Sequence, residues 1–180
     1  MRRSAVVLSL LFLTSTLSGF ATSQTPSTIT VDGDLIDWSA DELMSSSNID
    51  LHMTWDASNL YIGWDGTDWK STSEGADLFV YLNTSTDGSV LSKDWGFSHT
   101  LPFAANYGFV LEDDTYFRLV SYDGSAWVDS TYVVDLFAGW EGNMVTELAI
   151  PWAEIGSPTS LDVMMYAHCL LYTSPSPRDV

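Results

Sequence analysis

The sequence predicts an all-β protein, an antiparallel β-sandwich. Three observations carry that reading: apolar residues recur at every second position in segment after segment, polar turn residues separate the segments, and stretches with helical character are short. In chain order, TITVDGDL opens the domain as a first strand from about Thr28, with Gly33 allowing a tight turn after it. Leu51, Met53 and Trp55 then alternate with His52, Thr54 and Asp56. After the turn Asp56-Ala57-Ser58-Asn59, Leu60, Ile62 and Trp64 alternate with Tyr61, Gly63 and Asp65, so the pair is a β-hairpin. Leu78, Val80 and Leu82 alternate with Phe79 and Tyr81, apolar on both faces, which places this strand centrally between two layers. Further strands are expected over 107–111, 116–121, 132–136, 144–150 and 161–167, separated by turns of which Asp87-Gly88 and Asp123-Gly124 are the clearest. Two helical turns are expected, one over 40–44 behind Ser39 as cap and one over 151–155 ending at Gly156.

The ends differ from the body. Residues 1–23 place Arg2 and Arg3 before an apolar run from Ala5 to about Leu17, followed by the small residues Ala21 and Ser23. That is the pattern of a secretory signal peptide, so the protein is expected to be secreted, extracellular or periplasmic. The run is shorter than the roughly 20 residues of a membrane-spanning helix, and no integral membrane segment is expected. The final CLLYTSPSPRDV interrupts the apolar LDVMMYA and resembles translated adaptor sequence. The sandwich is therefore expected over 24–167, with 168–180 foreign to it, the true C-terminus missing and Cys169 uninformative.

The chain has 24 acidic and 6 basic residues, a net charge of −18. Once the ends are set aside, the bases are Lys70, Lys93 and Arg118. A field of this sign repels nucleic acid and anionic lipid surfaces and suits a neutral or cationic partner, bound calcium, or a saline habitat. Eight Trp, eight Tyr and eight Phe exclude disorder.

Four pieces, TITVDGDLIDW, LHMTWDASNLYIGWDGTD, GADLFVYLNTSTDGS and VTELAIPWAEIG, together resemble the carbohydrate-binding family 9-like modules and related DOMON-like domains of secreted polysaccharide-active proteins. The resemblance runs from about Thr28 to Ala167. It implies a β-sandwich that holds sugar in some members and haem in others, joined to other domains of a longer chain.

Sugar recognition needs flat aromatic platforms with polar groups at the rim. Trp38, Trp55, Trp64 and Trp152 alternate with core residues or fall inside the family motifs and read as core. Trp69, Trp95, Trp127 and Trp140 sit in polar or glycine-rich segments and are the platform candidates, with Asn106 and Tyr107 as weaker polar-edge candidates. The resemblance implies a sugar held between two tryptophans, without saying which. The expected partner is thus a polysaccharide or oligosaccharide.

In VDGDLIDW, Leu35 and Trp38 are expected to enter the core, while Asp32, Asp34 and Asp37 face water or accept backbone N–H bonds. Calcium in a structural role is the alternative, with Asp32, Asp34, Asp77, Asn83 and Asp87 as oxygen donors; the segment is no EF-hand loop. Haem is less favoured: Met53, Met164, Met165, His52, His99 and His168 are available, but His52 and Met53 must point to opposite faces of one strand. No nucleophile elbow, HExxH motif, phosphate loop or Cys/His ligand set is present, and with so many acids, carboxylate pairs arise by chance. The expected function is a non-catalytic carbohydrate-binding module, with a structural or adhesion spacer as its alternative and a haem electron-transfer domain behind both.

Overall fold

The expected hairpin forms the middle of a sheet: β2 (Asp50–Trp55) pairs antiparallel with β3 (Asn59–Asp65), Met53 opposite Ile62. Asp56 makes its turn, Oδ1 accepting the N–H groups of Ser58 at 2.7 Å and Asn59 at 2.8 Å. The computed structural model describes residues 26–46, 50–65, 76–85, 87–93, 96, 98–112, 115–140 and 142–169. On the other side of β3 lies β11 (Thr146–Pro151), then β10 (Asp135–Phe137), while β1 (Leu43–Ser46) borders β2. This first sheet has the order β1-β2-β3-β11-β10.

The second sheet is built on β4 (Ala76–Asn83), which lies between β12 (Asp162–Cys169) and β7 (Tyr107–Leu111). Beyond β7 come β8 (Phe117–Tyr122) and β9 (Trp127–Asp129), every neighbour antiparallel. Met53, Leu60, Ile62, Trp64, Leu148 and Ile150 from the first sheet meet Leu78, Val80, Leu82, Phe109, Leu111 and Leu119 from the second in one buried core. The fold is an all-β antiparallel sandwich, as the alternation requires.

β4 is apolar on both faces because a third layer covers it. The pair β5 (Ser89–Leu91) and β6 (Thr100–Ala105) lies outside the second sheet, where Leu101, Phe103 and Ala105 pack on Phe79, Tyr81, Val110, Val120 and Met164.

Other elements depart from expectation. The segment from Thr28 forms no strand; it lies as a strap over the outer face of the first sheet, where Ile29, Trp38, Tyr61 and Ala149 bury one another with Val31 and Leu35. Its backbone bonds go to side chains, so no ladder forms. The turn behind Ser39 covers only Ala40–Glu42, and Leu43 begins β1 instead of extending a helix. β5, β6 and β9 were not expected: two have three residues each, and Pro102 in β6 breaks the strand pattern. β10 begins at Asp135 rather than 132, and Trp55 is half-buried at the end of β2 instead of lying in the core. The last turn, Trp152–Ile155 closed by Gly156 with φ 80°, is as expected. β12 continues through Cys169, opposite Ala76. Among the described residues no helix is long and apolar enough to cross a membrane.

Candidate functional site

The alternation of β8 puts Arg118, Val120 and Tyr122 on the outer face of the second sheet, with Tyr116 just ahead of the strand in the same phase. Tyr122 stands opposite Trp127 and Val120 opposite Asp129, so Trp127 and Asp129 share that face. The indole is fixed from three sides. Its ring meets Tyr81 edge-on at 5.3 Å between centroids and lies tilted against Tyr122 at 5.7 Å, while Nε1 donates to the Leu91 carbonyl at 2.9 Å. Tyr81 and Tyr166 stack behind it, and His99 meets Tyr166 edge-on at 5.2 Å.

Polar groups flank this aromatic face. Lys93 Nζ pairs with Asp129 Oδ1 at 2.8 Å, and Lys93 N donates to the Tyr81 hydroxyl at 2.9 Å. The Tyr116 hydroxyl donates to Asp129 Oδ2 at 3.4 Å, and the Arg118 guanidinium lies 4.7 Å over the Tyr116 ring. Burial is the largest influence on Tyr81, Tyr166 and Tyr116 and raises all three phenols, so they stay neutral hydrogen-bonding groups. The arrangement is a half-buried aromatic cluster with charged and hydroxyl groups at its rim.

The remaining candidates are spread over the molecule. Trp140 is 44% exposed beside the first sheet, where its backbone pairs with Asn143 and the Asn143 amide donates to the Gly33 carbonyl. Trp127 and Trp140 therefore do not face one another; Trp69 and Trp95 lie outside the described residues. The Asn106 amide is engaged in the loop after β4: Oδ1 accepts Thr84 N at 2.8 Å, and Nδ2 donates to Thr84 Oγ1 and Ser85 Oγ. Tyr107 packs on the inter-sheet core, away from Trp127.

Of the oxygen donors proposed for calcium, Asp32 and Asp34 share the opening turn, where each accepts the backbone N–H two residues on, at 3.0 Å. Asp77 and Asn83 stand at opposite ends of β4, about 20 Å apart along the strand. Asn83 donates to Asp162, and Asp87 is exposed in a loop. These five residues do not form one ligand set. Among the described residues no group of three or more His, Cys, Asp and Glu is placed to hold a metal ion. His52 and Met53 point to opposite faces, His52 toward Trp38 at 5.5 Å and Met53 into the core. Met164 lies on the outer face of the second sheet and Met165 packs on the inter-sheet core; nothing is described of the His168 side chain.

The residue that organises VDGDLIDW is Glu147. On β11, fully buried, it stands opposite Gly63, which is opposite His52. Its Oε1 accepts Trp38 Nε1 at 2.7 Å; its Oε2 accepts Gly33 N at 2.6 Å and Asp32 N at 3.0 Å. Trp38 packs on Gly63, where a Cβ would come within 2.8 Å of the indole. Burial raises the Glu147 pKa, and the three N–H donors oppose that rise. Burial also holds His52 below its usual value, against the attraction of Asp50, Glu42 and Asp65. Glu147 could be suspected from the sequence only as an acid between apolar residues in VTELAI. Gly33, at φ 84°, has no room for a side chain, since a Cβ would run into the Phe137 ring. Gly33→Ala is expected to cost at least about 1 kcal/mol from its backbone conformation alone, read as a lower urea midpoint at unchanged slope.

Lys93, Arg118, Tyr116 and Asp129 were not legible as a site, although Tyr116, Arg118 and Tyr122 already alternate in YFRLVSY. No protein-family model, curated protein or solved structure matches this chain.

Proposed function

We propose that this chain is a secreted, non-catalytic carbohydrate-binding module that acts beside other domains of a longer protein. Its sugar docks on the outer face of the second sheet around Trp127. The supporting observation is the clamping of that indole by Tyr81, Tyr122 and the Leu91 carbonyl, beside Lys93, Asp129 and Tyr116. A pre-fixed ring stacks on the C–H face of a sugar without losing rotamer freedom, and the rim groups meet the hydroxyls.

Calorimetric titration with starch, xylan, cellulose and acidic polysaccharide fragments tests this. Saturable binding to one class is expected, and Trp127→Ala should weaken it at least about tenfold while Trp140→Ala leaves it unchanged. Repeating the titration with calcium and then chelator tests a structural ion. The rival reading is a spacer without a sugar site, favoured by the indole N–H being satisfied within the fold. Flat titrations from folded protein would establish that rival.

A further inference from the structure

In a chain of net charge −18, the two described basic residues of the body, Lys93 and Arg118, stand on the same face as Trp127. Lys93 is neutralised by Asp129 at 2.8 Å. Arg118 is different: it lies over the Tyr116 ring and donates one N–H, from Nη1 to the Phe117 carbonyl at 2.6 Å, and it has no acidic partner among the described residues. A guanidinium carries five N–H donors in a planar fork, and among the described residues this half-buried one uses a single donor, on the Phe117 carbonyl. Four positions along β8 separate it from Tyr122, the residue opposite Trp127, or about 13 Å. That is the scale of a short oligosaccharide lying along the strand.

We infer that the module binds an anionic glycan, one bearing carboxylate or sulfate groups, with Trp127 stacking on one sugar ring and Arg118 receiving the anion of another. The inference rests on the sugar-binding reading above and names the substrate class for the same face. A guanidinium that rests on an aromatic ring, with no acidic partner among the described residues, can offer the two parallel bonds a carboxylate or sulfate accepts. The acids elsewhere do not forbid this, because beyond a Debye length of about 8 Å at physiological salt their repulsion is largely screened, and Asp129 on the same face is offset by its ion pair with Lys93. Neutral glycans would offer the fork only hydroxyl acceptors, without the charge or the paired oxygens of a carboxylate or sulfate.

The test is calorimetry of the whole chain with three probes: oligogalacturonate, sulfated galactan oligosaccharides and neutral xylo-oligosaccharides. Arg118→Met and Trp127→Ala are compared with the parent, each first shown to be folded by its thermal transition. Expected is binding to an anionic probe, with the uronate and sulfate arms distinguishing the source of the anion. Affinity for that probe should fall at least about tenfold in Arg118→Met, and Trp127→Ala should weaken it as well. Arg118→Lys, which keeps the charge but not the fork, should recover only part of the loss. Equal affinity for neutral and anionic probes, or an Arg118→Met variant that binds the anionic probe like the parent, overturns the anionic-glycan inference and leaves the sugar platform standing. Absence of binding to all three by folded protein overturns the anionic-glycan inference, and the sugar platform falls with it if starch and cellulose also fail to bind.

Discussion

Glu147→Ala is expected to destabilise the protein by at least about 3 kcal/mol, because it leaves Trp38 Nε1, Gly33 N and Asp32 N without an acceptor. An unsatisfied buried donor costs more than a hydrogen bond contributes, and here three lose their partner together. Glu147→Gln keeps the volume but turns an amide NH2 toward at least one of those donors, so about 1–3 kcal/mol is expected. The pH dependence separates the carboxyl from its shape. Burial raises the Glu147 pKa in the folded state, so the folded protein binds this proton more tightly than the unfolded chain does. Its contribution is therefore most favourable below the ordinary glutamate pKa and is lost as pH rises through the raised folded value. Urea unfolding followed from acid to neutral pH should show the parent losing its advantage over Glu147→Gln as pH rises. A difference that is flat with pH, or that widens, would contradict the assignment. Trp38→Ala removes one of the same bonds and opens a cavity over Gly63, and should be non-additive with Glu147→Ala in a double-mutant cycle.

Phe79→Ala is expected to cost about 3–5 kcal/mol, the scale of removing a fully buried aromatic side chain. The result discriminates between two-layer and three-layer packing. In a plain sandwich the outer face of β4 meets solvent, and truncating Phe79 would change little. Here β6 covers it, and Phe79 is as inaccessible as Val80 on the opposite face. Chemical denaturation of Phe79→Ala beside Val133→Ala, at an exposed position, provides the comparison. The exposed change should stay within about 0.5 kcal/mol. A comparably small loss at Phe79 would mean that β5 and β6 do not cover the sheet.

The sequence by itself determined what depends on near neighbours. Period-two alternation located the hairpin of β2 and β3, the two-faced strand β4, and β7, because each side chain's face follows from the pleat. Asp56 and Gly156 marked turns by chemistry confined to a few residues. The three aspartates of VDGDLIDW are expected from the sequence to face water or accept backbone N–H bonds, and all three accept them, Asp37 from Thr30 N at 2.7 Å. Only the tertiary structure decided what those elements serve. It turned the expected first strand into a strap, because the acceptor for Gly33 and Trp38 is a carboxylate more than a hundred positions away on β11. It added strands of three residues, too short to leave a period, and placed Trp127 on the second sheet and Trp140 beside the first although both stood in similar polar segments. It also brought Lys93 from a loop to Asp129 on β9, beside Arg118 and Tyr116. Residues distant in the chain meet only through sheet register and layer packing, and alternation within one strand fixes the face of a residue but not what covers that face.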